Sequence, residues 1–103
     1  MDILVKDVSS QIVAVVHGNK SFIFNQHATE GRIADPVELA KTGHVVVSPG
    51  SIPLSGQSEP HMLTIPELDK HKEYFVAAAK ASILAGFDGA ELHCSSSVVR
   101  LFA

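Results

Sequence analysis

The chain has 103 residues, 46% of them hydrophobic and 18% charged, with a formal net charge of −3. That size and apolar fraction describe one globular domain and exclude an intrinsically disordered chain. The mildly acidic balance, with no Lys/Arg cluster, gives no electrostatic footing for nucleic acid or an anionic membrane, and no apolar run approaches the roughly 20 residues of a membrane span.

The chain opens Met1-Asp2-Ile3-Leu4-Val5-Lys6-Asp7, a short apolar stretch flanked by acidic residues, which does not read as a signal peptide. From Val8 to Lys20 the pattern predicts a short helix that opens after Ser9-Ser10 and stops at Gly18-Asn19. The β-branched Ile12, Val13, Val15 and Val16 work against it, because they lose side-chain freedom in a helix. Ser21-Phe22-Ile23-Phe24-Asn25-Gln26 is aromatic and β-branched between turn formers, the pattern of a buried strand at about Phe22–Gln26.

From 27 to 62 the chain is loop-like, punctuated by Gly31, Pro36, Gly43, Pro49, Gly50, Pro53, Gly56 and Pro60. Within it, Pro36–Lys41 fits one helical turn and His44–Val47 a short strand. A loop this long inside a compact domain points to function. Thr64-Ile65-Pro66-Glu67 then forms a capping box, opening a helix from Ile65 to about Leu84. Leu68, Phe75, Val76, Ala79 and Ile83 share one face of it. Gly86 stands where a left-handed cap belongs, and Asp88–His93 reads as a second strand. The order helix, strand, loop, helix, strand implies an α/β fold. Two parallel strands lie side by side under a right-handed crossover helix.

Generic catalytic constellations fail on geometry. Cys94 and His93 are strand neighbours and point to opposite faces. Ser95-Ser96-Ser97 lacks the glycines of a nucleophile elbow. The six His show no H-E-x-x-H or Cys/His spacing, so no metal site is expected. The glycines do not form G-x-G-x-x-G. A lone Cys94 rules out an intrachain disulfide and suits a reducing, cytoplasmic setting.

Three stretches are more specific. Ser21–Gln26 followed by Gly31-Arg32-Ile33-Ala34-Asp35-Pro36 resembles the third barrel strand and next loop of the old yellow enzyme family. Ser48-Pro49-Gly50-Ser51-Ile52-Pro53 resembles the loop segment after it. Leu63-Thr64 through Ala77-Ala78-Ala79-Lys80 to Gly86-Phe87-Asp88-Gly89-Ala90-Glu91-Leu92-His93 is similar to its third helix and fourth strand. The likeness covers residues 11 to 102 in order. It implies a fragment of a (β/α)8 TIM barrel, with residues 1–103 as a single partial domain running from the second helix to the fourth strand. A whole barrel needs about 250 residues.

The same resemblance implies an FMN-dependent oxidoreductase that uses NAD(P)H to reduce enone-type alkenes. Gln26 matches the residue that hydrogen-bonds the flavin pyrimidine edge; on residue type alone it is also an ordinary polar strand-end side chain. His93 matches the donor to the substrate carbonyl oxygen, and a backbone-satisfied strand-end His is the plain alternative. Glu91 either orients His93 or is a paired barrel residue. The departures are pointed. Ser96 stands where the family has an Asn or a second His, Ser97 where it has Gly, Val98 where it has a proton-donating Tyr, and Ala28 where an aromatic is common. Two expectations follow: a flavin-dependent ene-reductase, or a catalytically inactive remnant acting through association along exposed strand edges.

Overall fold

The computed structural model describes residues 3–94, with side chains from Asp7 onward. Ser96, Ser97 and Val98 lie outside the described residues. The chain divides into two compact units, Met1–His27 with Glu73–Leu92, and Ala28–Lys72 with His93–Ala103.

In the first unit, helix α1 spans Ile3–Gly18, starting well before the expected Ser9-Ser10. Leu4, Val8 and Ile12 continue the apolar spacing upstream, and a serine inside a helix costs only a few tenths of a kcal/mol, so Ser9 and Ser10 do not open it. The expected stop holds, but the left-handed residue is Lys20, at φ 58°. Ser21 N–H reaches Val16 O at 3.2 Å and Lys20 N–H reaches His17 O at 2.9 Å, the paired bonds of a Schellman end.

Strand β1 is Phe24–His27, two residues later than expected. The lead-in is diverted. Asp88 Oδ2 accepts from Ile23 N–H at 2.8 Å and Asp88 N–H donates to Ile23 O at 2.9 Å, so Ile23 is bound before the ladder begins. β1 pairs in parallel with a strand at Gly89–Leu92 (β4 in chain order), in the register Phe24↔Gly89, Asn25↔Ala90, Gln26↔Glu91 and His27↔Leu92. The expected parallel pair is therefore present, though β1 is not a buried strand. Phe22 is 82% exposed and Phe24 62%, because only one face of this two-stranded sheet rests on a helix.

Helix α3 is Ile65–Leu84. Its capping box forms as the sequence implies: Glu67 N–H donates to Thr64 Oγ1 and Thr64 N–H to Glu67 Oε1, both at 3.3 Å. It ends on Gly86 at φ 100°, with Phe87 N–H bonded to Ser82 O and Gly86 N–H to Ile83 O. A Cβ on Gly86 would stand 3.2 Å from Val13 Cγ1 of α1, so this turn needs both the left-handed backbone and the missing side chain. The apolar face is the expected one only in part: Leu68, Phe75 and Ala79 are half-buried. Val76 and Ile83 are 53% and 56% exposed, and the buried line runs through half-buried Phe75, Ala78 and Ala79 to Ser82. Small residues there let the polar side chains of β1 approach.

The second unit holds what the sequence presents as one long loop. A 3₁₀ turn at Gly31–Ile33 precedes helix α2, Pro36–Ala40, the expected single turn. Asp35 caps α2 by accepting from Val37 N–H at 2.8 Å and Glu38 N–H at 3.3 Å. The expected His44–Val47 strand is only β2, Val47–Ser48. It pairs in parallel with β3, His61–Met62, a strand the sequence does not announce. His61 N–H to Val46 O and Leu63 N–H to Ser48 O, each 2.9 Å, close the ladder around buried Leu63 and Ser48.

Candidate functional site

The candidate site is the open face of the β1–β4 sheet, and it is fixed from behind. Ser82 is fully buried, with 0% of its surface exposed. Its hydroxyl donates to Ala78 O at 3.0 Å, one turn back along α3. Asn25 Nδ2 donates to Ser82 Oγ at 2.9 Å, and His27 Nε2 stands 2.9 Å from that hydroxyl oxygen. Side chains alternate along a strand. Asn25 and His27 therefore point together toward α3 while Phe24 and Gln26 point the other way. Gln26, between two anchored neighbours, is left exposed on the free face.

On that face the register brings Gln26 beside Glu91, its partner across the ladder. Gln26 Nε2 donates to Glu91 Oε1 at 3.0 Å. Two residues earlier Phe24 faces Gly89, where a Cβ would come within 3.1 Å of the ring; Gly89 lets the ring lie over the strand.

The entrance to the sheet is tied by Asp88. Its carboxylate takes His17 Nε2 at 2.8 Å and Ile23 N–H at 2.8 Å, joining the end of α1, the approach to β1 and the turn before β4. The hydrogen bond from His17, then that from Ile23, hold the Asp88 carboxyl below the usual carboxylate range. A similar clasp operates in the second unit. Glu67, bonded by Thr64 and by His61 Nε2 at 3.1 Å, is also held low, with Thr64 the larger cause.

Each predicted site residue is placed within its own unit. Gln26 is brought against Glu91, on the sheet of the first unit. His93 belongs to the second unit, half-buried directly after β4. Ser96 lies outside the described residues. Glu91 is a paired residue, the plainer of its two sequence readings. Sequence reasoning passed over Ser82, Asn25 and His27. The period-two alternation around Gln26 was the available signal: whatever frees Gln26 on one face puts Asn25 and His27 on the other. The second unit also has a cleft of about 600 Å³ beside Pro36, Ala40, His44, Val46, Pro60 and His61. Among the described residues no group of His, Cys, Asp and Glu is arranged to hold a metal ion. No helix among them is long and apolar enough to cross a membrane.

Comparison with known proteins places the chain in a family and a fold. A model of the NADH:flavin oxidoreductase / NADH oxidase family matches residues 7–99. The chain is 39% identical over 85 residues to a probable inactive reductase, easA, of Epichloe festucae var. lolii, covering 81% of this chain and 22% of that one. It is 32% identical over 94 residues to a probable flavin mononucleotide-dependent alkene reductase of Leishmania infantum, covering 86% and 25%. The crystal structure of Old Yellow Enzyme from Pichia sp. AKU4542 superposes with a TM-score of 0.85 at 29% identity, covering 91% of this chain and 27% of that one. The chain spans about a quarter of the length of the relatives it matches.

Proposed function

Because this chain belongs to the NADH:flavin oxidoreductase / NADH oxidase family, we propose that it supplies the sector around the third and fourth strands of a flavin-dependent reductase. In this reading FMN is the cofactor, NAD(P)H the reductant and an enone-type small molecule the substrate. The observation that carries it is Gln26, exposed on a strand whose other face is pinned to α3 through Ser82. The donor set fits the group. An amide offers an acceptor and donors side by side, which suits the mixed edge of a flavin pyrimidine ring. Bound FMN would supply the capacity for hydride transfer between a nicotinamide and an activated alkene. Gln26 holds the ring edge. His93 donates an imidazole N–H to the substrate carbonyl oxygen, stabilising the negative charge that develops there. Ser96 offers a hydroxyl as the second donor.

FMN titration of the purified chain tests this, followed by fluorescence quenching. Uptake near stoichiometry is expected, weakened about tenfold or more in Gln26→Leu, as loss of a ligand hydrogen bond implies. A colourless preparation that refuses added FMN overturns it.

A second reading, a flavin-binding chain without turnover, is favoured by Val98 at the position of the proton-donating Tyr. General acid catalysis is worth roughly 10²–10⁴ in rate. Enone reduction by the chain should therefore rise in a Ser96→Asn, Val98→Tyr double variant; equal rates overturn this reading. Each strand of the β1–β4 sheet has a single neighbour within it. The outer edges are then the natural place for further strands or a second copy to add. Size-exclusion with light scattering should show association, and a sharply melting monomer at micromolar concentration would refute it.

A further inference from the structure

The Gln26–Glu91 pair decides more than a contact. The terminal amide of a glutamine can be turned by half a rotation, exchanging its acceptor oxygen for its two-donor nitrogen. On an exposed strand both settings are open, and each offers a ligand a different edge. The register of the sheet removes that freedom by placing Glu91 beside Gln26 on the same face. A carboxylate has only acceptors. Nε2 of Gln26 meets it at 3.0 Å. The reversed setting would set two acceptor oxygens against each other at that distance. One N–H of the amide is thus committed to Glu91, and what faces outward is the carbonyl oxygen with the remaining N–H.

The rest of the strand cannot shift to evade this choice, because Asn25 and His27 on either side are both bound to Ser82. We propose that Glu91 is a positioning residue that sets the polarity of the Gln26 amide, so that β1 presents an acceptor–donor pair matched to a cyclic imide edge. This rests on the reading of Gln26 as the flavin-binding residue and adds Glu91 to the site. Glu91 itself acts only through Gln26.

Two variants of the full chain test it. Glu91→Ala removes the acceptor. Glu91→Gln keeps the shape but pairs equally well with either setting of the amide. The first measurement needs no cofactor: the side-chain amide resonances of Gln26 in a ¹H–¹⁵N spectrum. One downfield, slowly exchanging proton is expected in the parent chain, with averaged signals in both variants. The second is FMN affinity by fluorescence quenching, expected to weaken about tenfold in Glu91→Ala, the scale of a lost charge-assisted bond, and about threefold in Glu91→Gln. Thermal melting of each variant controls for a merely structural effect, since Glu91→Gln should melt with the parent yet still bind FMN more weakly. FMN affinities within twofold of the parent in both variants overturn the proposal and leave the flavin reading standing. Failure of every form, parent included, to bind FMN overturns both.

Discussion

The β1–β4 and β2–β3 pairs are both parallel and each is clasped by a histidine–carboxylate bond, but the first also rests two side chains of β1 on one buried hydroxyl. The first is fixed by buried and clasped polar groups. Ser82 anchors Asn25 and His27, and Asp88 ties Ile23 and His17, while its aromatic Phe24 stays exposed. The second closes two rungs around apolar Leu63, with the 3₁₀ turn at Gly31–Ile33 packed beside β2. A hydrophobic anchor tolerates small rotations of a strand. A shared hydroxyl with two directional donors does not. The difference places directional control under the strand that carries Gln26.

Ser82→Ala is the sharpest way to break this contrast. It removes the acceptor of two part-buried donors, each costing about 1–3 kcal/mol if left unmade. Urea unfolding should register the loss, and hydrogen exchange should show β1 and β4 opening with β2 and β3 unchanged. Uniform loss of protection in both sheets would erase the distinction. Gly86→Ala should come next, at about 1–2 kcal/mol, from a left-handed backbone combined with crowding against Val13. Its effect should also stay with the β1–β4 side, read from the same exchange experiment. Thr64→Ala removes the acceptor for Glu67 N–H and should cost about 1 kcal/mol of helix stability, measured by circular dichroism at 222 nm.

The smallest effect is a pH dependence. The folded-state value of Asp88 lies below its ordinary 3.8. Its contribution is therefore full above that value and fades as pH falls through the folded one. Melting temperature should decline on acidification below about pH 4, and Asp88→Asn should flatten that part of the curve. Because the pair is solvent-exposed, added salt should shrink the difference.

What was legible in the sequence was local. The capping box at Thr64–Glu67, the left-handed Gly86 and the proline-started turn at Pro36 each specify their geometry within a few residues. The parallel pairing of β1 and β4 followed from element order. Ser82 was not legible, because its partners lie 55 and 57 residues away and a serine in an Ala-rich helix looks like filler. The apolar face of α3 was legible only in part, at Leu68, Phe75 and Ala79, for a related reason. With apolar residues on several flanks, spacing cannot say which flank meets the sheet, and the one that does is lined by Ala78, Ala79 and Ser82 so that Asn25 and His27 fit. β2 and β3, two residues each, are too short for alternation to show. Gln26 was proposed from its motif, whereas its contact with Glu91 needed the register.

The Ser82 hydroxyl also keeps a strict proton inventory. It has a single hydrogen, and that hydrogen goes to Ala78 O. Its lone pairs can then only receive, so both Asn25 and His27 must give. For His27 this selects one tautomer, with the hydrogen on Nε2 and the lone pair on Nδ1 whenever the ring is neutral. The last residue of β1 thus carries a defined chemical polarity written by a helix residue far along the chain. Long-range ¹H–¹⁵N spectra should find the pyrrole-type nitrogen of His27 at Nε2 in the parent chain, and in Ser82→Ala the two tautomers should become mixed.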